Sequence, residues 1–364
     1  MEYRKLPRGG QQISVLGLGN SSMGQAGPAE IEATVALALE NGVNFFDMAA
    51  ADGIPFAPFG RALAGCRQKV FLQVHFGADY HTGKYGWTTN LEQIKRSVDW
   101  QLTQLGTGYI DFGFLHCLDE LSDLEKVLSN GVLDHLLKLK EQGVVRQIGL
   151  SSHTPATVQR ALDTGLIDLV MFSINPAYDY HHGEYAIGGA DERMDLYRRC
   201  EAMGVGISVM KAFGGGQLLD AATSPFGRAL TEFQCIQYAL DKPGVVTVLP
   251  GVRDREDLSR LLGFFCASAS ERDYSVLGEF APQDAAGRCV YCNHCQPCPA
   301  GLDVGLINKY YDLARAGDAL AADHYAHLDK RAGDCVACGH CDLRCPFHVA
   351  QSQRMEEIRA YFGA

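Results

Sequence analysis

The sequence predicts an α/β fold, a (β/α)8 TIM barrel followed by a small α-helical domain rich in cysteine. Three observations carry this. Up to Leu262, eight short apolar runs alternate with amphipathic stretches of helical length. Gly42-Val43, Gly143-Val144, Gly165-Leu166 and Gly204-Val205 each close a helical pattern and open a strand, as a left-handed glycine cap feeding a turn would. Beyond that region, eight of the 13 cysteines fall between Cys289 and Cys345.

The strands begin at Val15 (VLGLGN), Phe45 (FFDMA), Val70 (VFLQVH), Asp111 (DFGFLH), Val145 (VRQIGLSS), Asp168 (DLVMFSIN), Gly204 (GVGISVMK) and Val245 (VVTVLPGV). Near-continuous apolar strands separated by helices imply a parallel sheet buried on both faces. Leu91, Ile94, Val98, Leu102 and Leu105 recur every three to four residues and mark one helix face. A helix starts near Pro28, a good first helical residue, and ends at Gly42. Eight such units close economically into a barrel of roughly 250 residues. An open doubly wound sheet competes, but the GLGNSSMG of the first strand lacks the glycine spacing that grips a pyrophosphate.

With 364 residues, the chain accommodates that barrel over 1–270, a linker over 271–285 and a second domain over 286–364. A hydrophobic share of 47% against 21% charged residues supports a real core. The 43 acidic and 32 basic side chains give a net charge of −11, which removes any general electrostatic reason to bind nucleic acid or an anionic membrane. No apolar run approaches the ~18 residues of a membrane span. The opening MEYRKLPRGG has no apolar signal core, so a cytoplasmic chain is expected, in which clustered cysteines hold metal rather than form disulfides.

The first cysteine run, Cys289, Cys292, Cys295 and Cys298-Pro299, is spaced C-x2-C-x2-C-x2-C-P, and the second, Cys335, Cys338, Cys341 and Cys345-Pro346, C-x2-C-x2-C-x3-C-P. Three thiolates at this spacing come from one tight loop, while the fourth, before proline, departs toward another centre. Cys289, Cys292, Cys295 and Cys345 would then hold one 4Fe–4S cluster, and Cys335, Cys338, Cys341 and Cys298 the other. Zinc is the alternative metal. Val304, Ile307, Tyr310, Tyr311 and Leu313, then Leu320, His324, Tyr325 and Leu328, are spaced for two short helices, giving an α-helical ferredoxin-type domain.

In a barrel, chemistry belongs at the C-terminal ends of the strands. Asn20, Asp47, His75, His116, Ser151, Ser152, Asn175, Lys211 and Arg253 stand there. Any one of them is also explicable as a cap satisfying nearby backbone.

Taken in order, ISVLGLG, NGVNFFDMA, LTQLGTGYIDFGFLH, VRQIGLSSH, GVGISVMK, VLPGVRDREDL and the cysteine runs resemble the aldo-keto reductase superfamily, in the branch with a C-terminal 4Fe–4S ferredoxin domain. The resemblance implies NADP or NAD bound on a barrel, hydride exchange with a carbonyl, and an Asp, Tyr, Lys and His catalytic set. Asp47 matches the Asp and His116 the His. Asp52 stands where the Tyr belongs and His75 where the Lys belongs. The expected catalytic residues are therefore Asp47, Asp52, His75 and His116. An imidazole near pKa ~6.5 exchanges a proton at neutral pH unaided, whereas a phenol near ~10 needs tuning. His75, oriented by Asp47, is expected as proton donor or acceptor, with His116 holding the substrate oxygen; Asp52 in a dry pocket, Tyr80 and Tyr85 are further candidates.

For the cofactor, the resemblance implies contacts from Ser151 and Ser152 to the carboxamide and from Gly251, Val252 and Arg253 to phosphate. Gly19, Asn20 and Lys211, the last before a glycine run, complete the expected set. Arg253 and Arg255 could equally pair with Asp254 and Asp257. The expectation is an iron–sulfur oxidoreductase acting on a small molecule, with a ferredoxin or another electron carrier as partner and none among nucleic acids or membranes. A non-redox lyase or isomerase with structural clusters, and an electron-transfer or docking module, are the rivals.

Overall fold

A computed structural model describes residues 1–179, 186–274, 276–277, 289, 295–315, 321–345 and 349–363. All eight expected strands form one parallel sheet. They are β1 (Leu18–Gly19), β2 (Phe45–Met48), β3 (Phe71–Phe76), β4 (Ile110–Leu115), β5 (Val145–Ser152), β6 (Leu169–Ser173), β7 (Gly206–Met210) and β8 (Val245–Val248). Each pairs with its neighbours in chain order. The ends meet where Leu16 bridges Val248 in parallel, with Gly17 N donating to Val248 O at 2.9 Å and Val248 N to Val15 O at 2.9 Å. The sheet is thus a barrel and not an open doubly wound sheet.

The glycine punctuation has its expected cause. Gly42, Gly143, Gly165 and Gly204 have φ of 81°, 73°, 72° and 65°, the left-handed region that a side chain penalises. The helix Leu91–Leu105 lies where its periodicity puts it: Asn90 caps it by accepting from Glu92 N and Gln93 N, worth about 1 kcal/mol, and Ile94, Val98 and Leu105 are buried.

Alternation along the strands sets which residues face inward. Phe45, Phe112, Phe114, Leu169, Met171, Val246 and Leu249 form a compact cluster inside the barrel, together with Leu6 and Ile13 of an N-terminal hairpin (Tyr3–Lys5 with Gln12–Ser14). Asp47 lies two residues beyond Phe45, and His116 two beyond Phe114. These polar residues therefore form the next inward layer, at the C-terminal ends of the strands. Gly149 makes room for this packing, since a Cβ there would meet Phe114 Cε2 at 2.3 Å.

The stretch after β3 does not run as a loop. Ala78–Asp79 pairs antiparallel with Gly86–Trp87, a small hairpin that carries Tyr85. In the tail, the two expected helices are Val304–Arg315 and Ala321–Ala326, followed by His340–Arg344 and Gln351–Phe362. Phe362 stacks on Tyr325 with centroids 3.9 Å apart, which ties the last helix to the others. Cys292, Leu320, Pro346 and most of the expected linker lie outside the described residues. No helix among the described residues is long and apolar enough to cross a membrane.

Candidate active site

A cavity of about 620 Å³ opens at the C-terminal ends of the strands. Asp47, His75, His116, Cys117, Ser151 and His153 line its floor, with Lys211, Gly215, Gly216, Gly251 and Arg253 along its wall.

Three of the expected catalytic residues are joined in one line. His75 Nε2 lies 2.7 Å from Asp47 Oδ1, and His75 Nδ1 lies 2.9 Å from His116 Nδ1. The line continues through a fourth residue: the Tyr85 hydroxyl is 3.0 Å from His116 Nε2. Gln73 fixes the inner end by donating from Nε2 to Asp47 Oδ1 at 2.7 Å, while accepting from Ser208 Oγ at 3.2 Å. A carboxylate only accepts, so His75 Nε2 carries the proton toward Asp47. With both rings neutral, His75 Nδ1 then accepts from His116 Nδ1, and His116 Nε2 accepts from Tyr85. Burial, reinforced by the neighbouring His75 and His324, holds the His116 pKa well below the ordinary imidazole value and so favours this neutral form.

Two expectations change. Both nitrogens of His75 are engaged inside the barrel, so it reaches a substrate only through His116. Asp52 does not line the cavity: its Oδ1 accepts from Ile54 N at 2.9 Å, a turn contact two residues on. Tyr80 is fully buried and donates to Ala50 O at 2.9 Å, a packing role, and burial pushes its pKa well up.

The cofactor positions divide similarly. Ser151 lines the cavity and accepts from Cys117 N at 2.7 Å. Ser152 turns away and donates to Asp119 Oδ1 at 3.1 Å. Val252 is buried outside the cavity lining, and Arg253 reaches the cavity but forks onto Asp257 at 2.7 and 2.9 Å. Arg255 pairs instead with Glu30 at 2.9 Å. Asn175 donates to Lys211 O at 2.8 Å, holding Lys211 at φ 58° ahead of Gly214, Gly215 and Gly216, all left-handed. Gly19 lines the cavity, whereas the neighbouring Asn20 is fully buried and neither its amide nitrogen nor its amide oxygen has a partner among the described residues. Ser151 and Lys211 beside the glycine wall form the donor set that fits a ligand bearing amide and phosphate groups, and the buried Asn20 amide does not line this cavity.

Cys117, Asp119 and His153 offer ligand atoms within 4.8 Å of one another. A cation already occupies this corner: Lys309 of the tail, itself buried, places Nζ 3.3 Å from Asp119 Oδ2, while His153 Nδ1 lies 3.0 Å from the same oxygen. Burial would raise the Asp119 pKa, but Lys309 and His153 outweigh it and hold the group well below the carboxylate range.

In the tail, Cys298 shares one small cavity with Cys335, Cys338 and Cys341. These four are among the cysteines that the spacing groups together. Of the other set, Cys295 and Cys345 are buried and Cys289 Sγ lies 3.5 Å from Gln351 Nε2. Four thiols facing one space suit iron–sulfur ligation.

The sequence model of the aldo/keto reductase family matches residues 15–232. The chain belongs to that family. A second match, over residues 285–349, is to a 4Fe-4S dicluster domain. An aldo/keto reductase chain carrying such a domain is similar, at 26% identity over 77% of its length and 89% of the relative's, to L-galactose dehydrogenase of Arabidopsis thaliana. It is also similar to L-glyceraldehyde 3-phosphate reductase of Escherichia coli, at 27% identity over 45% of this chain and 49% of the relative. The holo form of an aldo-keto reductase from Bacillus halodurans superposes with a TM-score of 0.62, 22% identity, 77% of this chain and 96% of that one, which supports the fold.

Within this aldo/keto reductase barrel, Asp47, His75 and His116 lie at the cavity where the sequence places them, whereas Gln73, Asp119 and Lys309 come only from the structure. Gln73 was findable, as the inward residue two before His75. Lys309 gave no signal, because its partner is 190 positions away.

Proposed function

We propose that the chain is an NAD(P)-linked oxidoreductase of small carbonyl or alcohol substrates, comprising the barrel over 1–270 and a domain over 286–364 that binds two 4Fe–4S clusters. The observation that carries this is the unbroken line from Tyr85 through His116 and His75 to Asp47, with links of 3.0, 2.9 and 2.7 Å. The names of the two relatives favour a small polyhydroxylated substrate.

Bound nicotinamide would supply the hydride that a carbonyl takes up, or accept the one that an alcohol loses, and 4Fe–4S clusters would supply single-electron transfer, which that hydride exchange does not itself require. The chain's own residues manage the proton. When His75 holds a second proton beside the Asp47 carboxylate, its Nδ1–H donates to His116 Nδ1. His116 then carries its proton on Nε2 and donates to the Tyr85 oxygen, which frees the Tyr85 hydroxyl to face a substrate oxygen. Passing one proton to that oxygen shifts one proton along each link. The line is left with His75 singly protonated and every donor pointing toward Asp47. Oxidation of an alcohol runs the same shifts in reverse. His116 is never doubly protonated, in keeping with its depressed pKa.

Tyr85 supplies the phenol, and His75 and His116 take the place of the cation that would tune it, because the proton on His75 is passed to the Tyr85 oxygen along the line. Ser151, Lys211, Gly215 and Gly251 would bind the dinucleotide. Cys289, Cys292, Cys295 and Cys345 would hold one cluster, and Cys298, Cys335, Cys338 and Cys341 the other.

The test is anaerobic purification, fluorescence titration with NADPH and NADH, and a screen of short hydroxyaldehydes and the corresponding alcohols. Saturable binding of one nucleotide together with substrate-dependent turnover is expected. Binding of neither would favour the lyase or isomerase class.

A further inference from the structure

The hairpin that carries Tyr85 is held on one side by the barrel, where Tyr85 N donates to Ala51 O at 3.3 Å, and on the other by the tail. Trp87 N donates to Asp323 Oδ2 at 2.9 Å, and Trp87 Nε1 donates to His116 O at 3.2 Å. The indole ring lies 5.5 Å from His324 and 5.7 Å from His327, and His324 stacks on Tyr310 at 5.6 Å with planes 17° apart. Asp323, His324 and Tyr310 all belong to the tail. Lys309, which immediately precedes Tyr310 on the same helix, reaches Asp119, which in turn orients the cavity-lining His153. That helix begins at Val304, which lines the cavity of Cys298, Cys335, Cys338 and Cys341. One rigid element therefore runs from the thiol site to the rim of the active site.

We propose that the cysteine-rich tail is part of the active site: Asp323 and His324 are positioning residues that clamp the Trp87 strand and so set the Tyr85 hydroxyl against His116. The inference rests on Tyr85 ending the proton line. Its physical basis is that a two-stranded hairpin of two residues per strand is too short to hold its own geometry in water. A charge-assisted bond to the backbone of Trp87 and a tilted contact of the His324 ring on the indole add to the barrel's hold what the hairpin lacks. Loss of the tail structure would then loosen Tyr85 and, through Lys309 and Asp119, release the cavity-lining His153 as well, whereas a change at Asp323 alone acts on the hairpin.

Asp323→Ala and Asp323→Asn in the full, iron-loaded chain test this. Hydrogen exchange reads the Trp87 amide directly and does not depend on turnover. The Ala variant should exchange about tenfold faster or more across the hairpin at residues 78–87, as expected for losing a bond to a charged acceptor. The Asn variant, which keeps an acceptor oxygen, should recover most of the protection, and iron content should be unchanged in both. kcat should fall with the hairpin protection, at unchanged nucleotide KM. Unchanged exchange in Asp323→Ala overturns the clamp. If Asp323→Ala loses iron, His324→Leu removes the ring against the Trp87 indole and takes its place in the same measurement. Faster exchange with full turnover would leave the clamp standing and defeat the role of Tyr85, so the two ideas fail separately.

Discussion

Tyr85→Phe removes one hydroxyl and leaves the ring, so its contacts with Tyr80 and His116, at 5.9 and 5.8 Å between centroids, are kept. Two effects of different size follow. His116 Nε2 loses its donor at 3.0 Å, and an acceptor left unsatisfied in a buried site costs about 1–3 kcal/mol. Tyr85 is only half-buried, so water can approach and the low end applies, a fall of roughly 2–4 °C in Tm. The effect on rate is larger, because a positioned general acid is worth about 10²–10⁴-fold, or about 3–5 kcal/mol of barrier. Single-turnover reduction of an aldehyde with saturating nucleotide separates the two. The rate should fall at least about 100-fold with nucleotide KM unchanged, while Tm moves by a few degrees. A rate within about twofold of wild type would refute Tyr85 as the end of the line, and a raised KM alone would reduce it to a binding contact.

Other consequences are independent of this one. His116 and His153 both resist protonation in the folded state, chiefly through burial, whereas their unfolded forms take a proton near pH ~6.5; stability should be full above that pH and decline as pH falls below it. A urea midpoint that stays constant from pH ~7 to ~5 would contradict this. Cys298→Ser and Cys335→Ser should each remove the same cluster by EPR, lowering iron from about eight to about four per chain, whereas Cys345→Ser should remove the other. If Cys298→Ser and Cys345→Ser abolished the same signal, the crossed ligation would be wrong. Gly149→Ala should cost about 1–3 kcal/mol in chemical denaturation, since the new methyl group collides with the Phe114 ring; a neutral result would mean that Phe114 moves freely.

What could be read in advance follows from the range of each interaction. Strand positions were legible because buried parallel strands are apolar from end to end, and inward alternation carried Asp47, His75 and His116 to one end of the barrel. Cys298 was expected beside Cys335, Cys338 and Cys341 because it precedes a proline, and these four line one cavity. Side-chain direction at strand ends was not legible. Ser151 and Ser152 look alike in sequence, yet alternation turns one into the cavity and the other onto Asp119. Asp52 occupies the expected catalytic position, but a local turn to Ile54 captures its carboxylate. Tyr85 entered as one of several candidates, and only the pairing of Ala78 with Trp87 brings it to His116. Contacts between barrel and tail, such as Asp323 with Trp87, span 236 positions and leave no local pattern.

The most direct test is turnover of a confirmed carbonyl substrate by the anaerobic, iron-loaded chain, with wild type compared to His75→Ala. If protons pass from the Asp47 end to the substrate, the variant should lose about 100-fold or more in kcat while binding nucleotide as tightly as wild type. Equal kcat in the two proteins would contradict the relay and, with it, the assignment of His75 and Asp47 to catalysis.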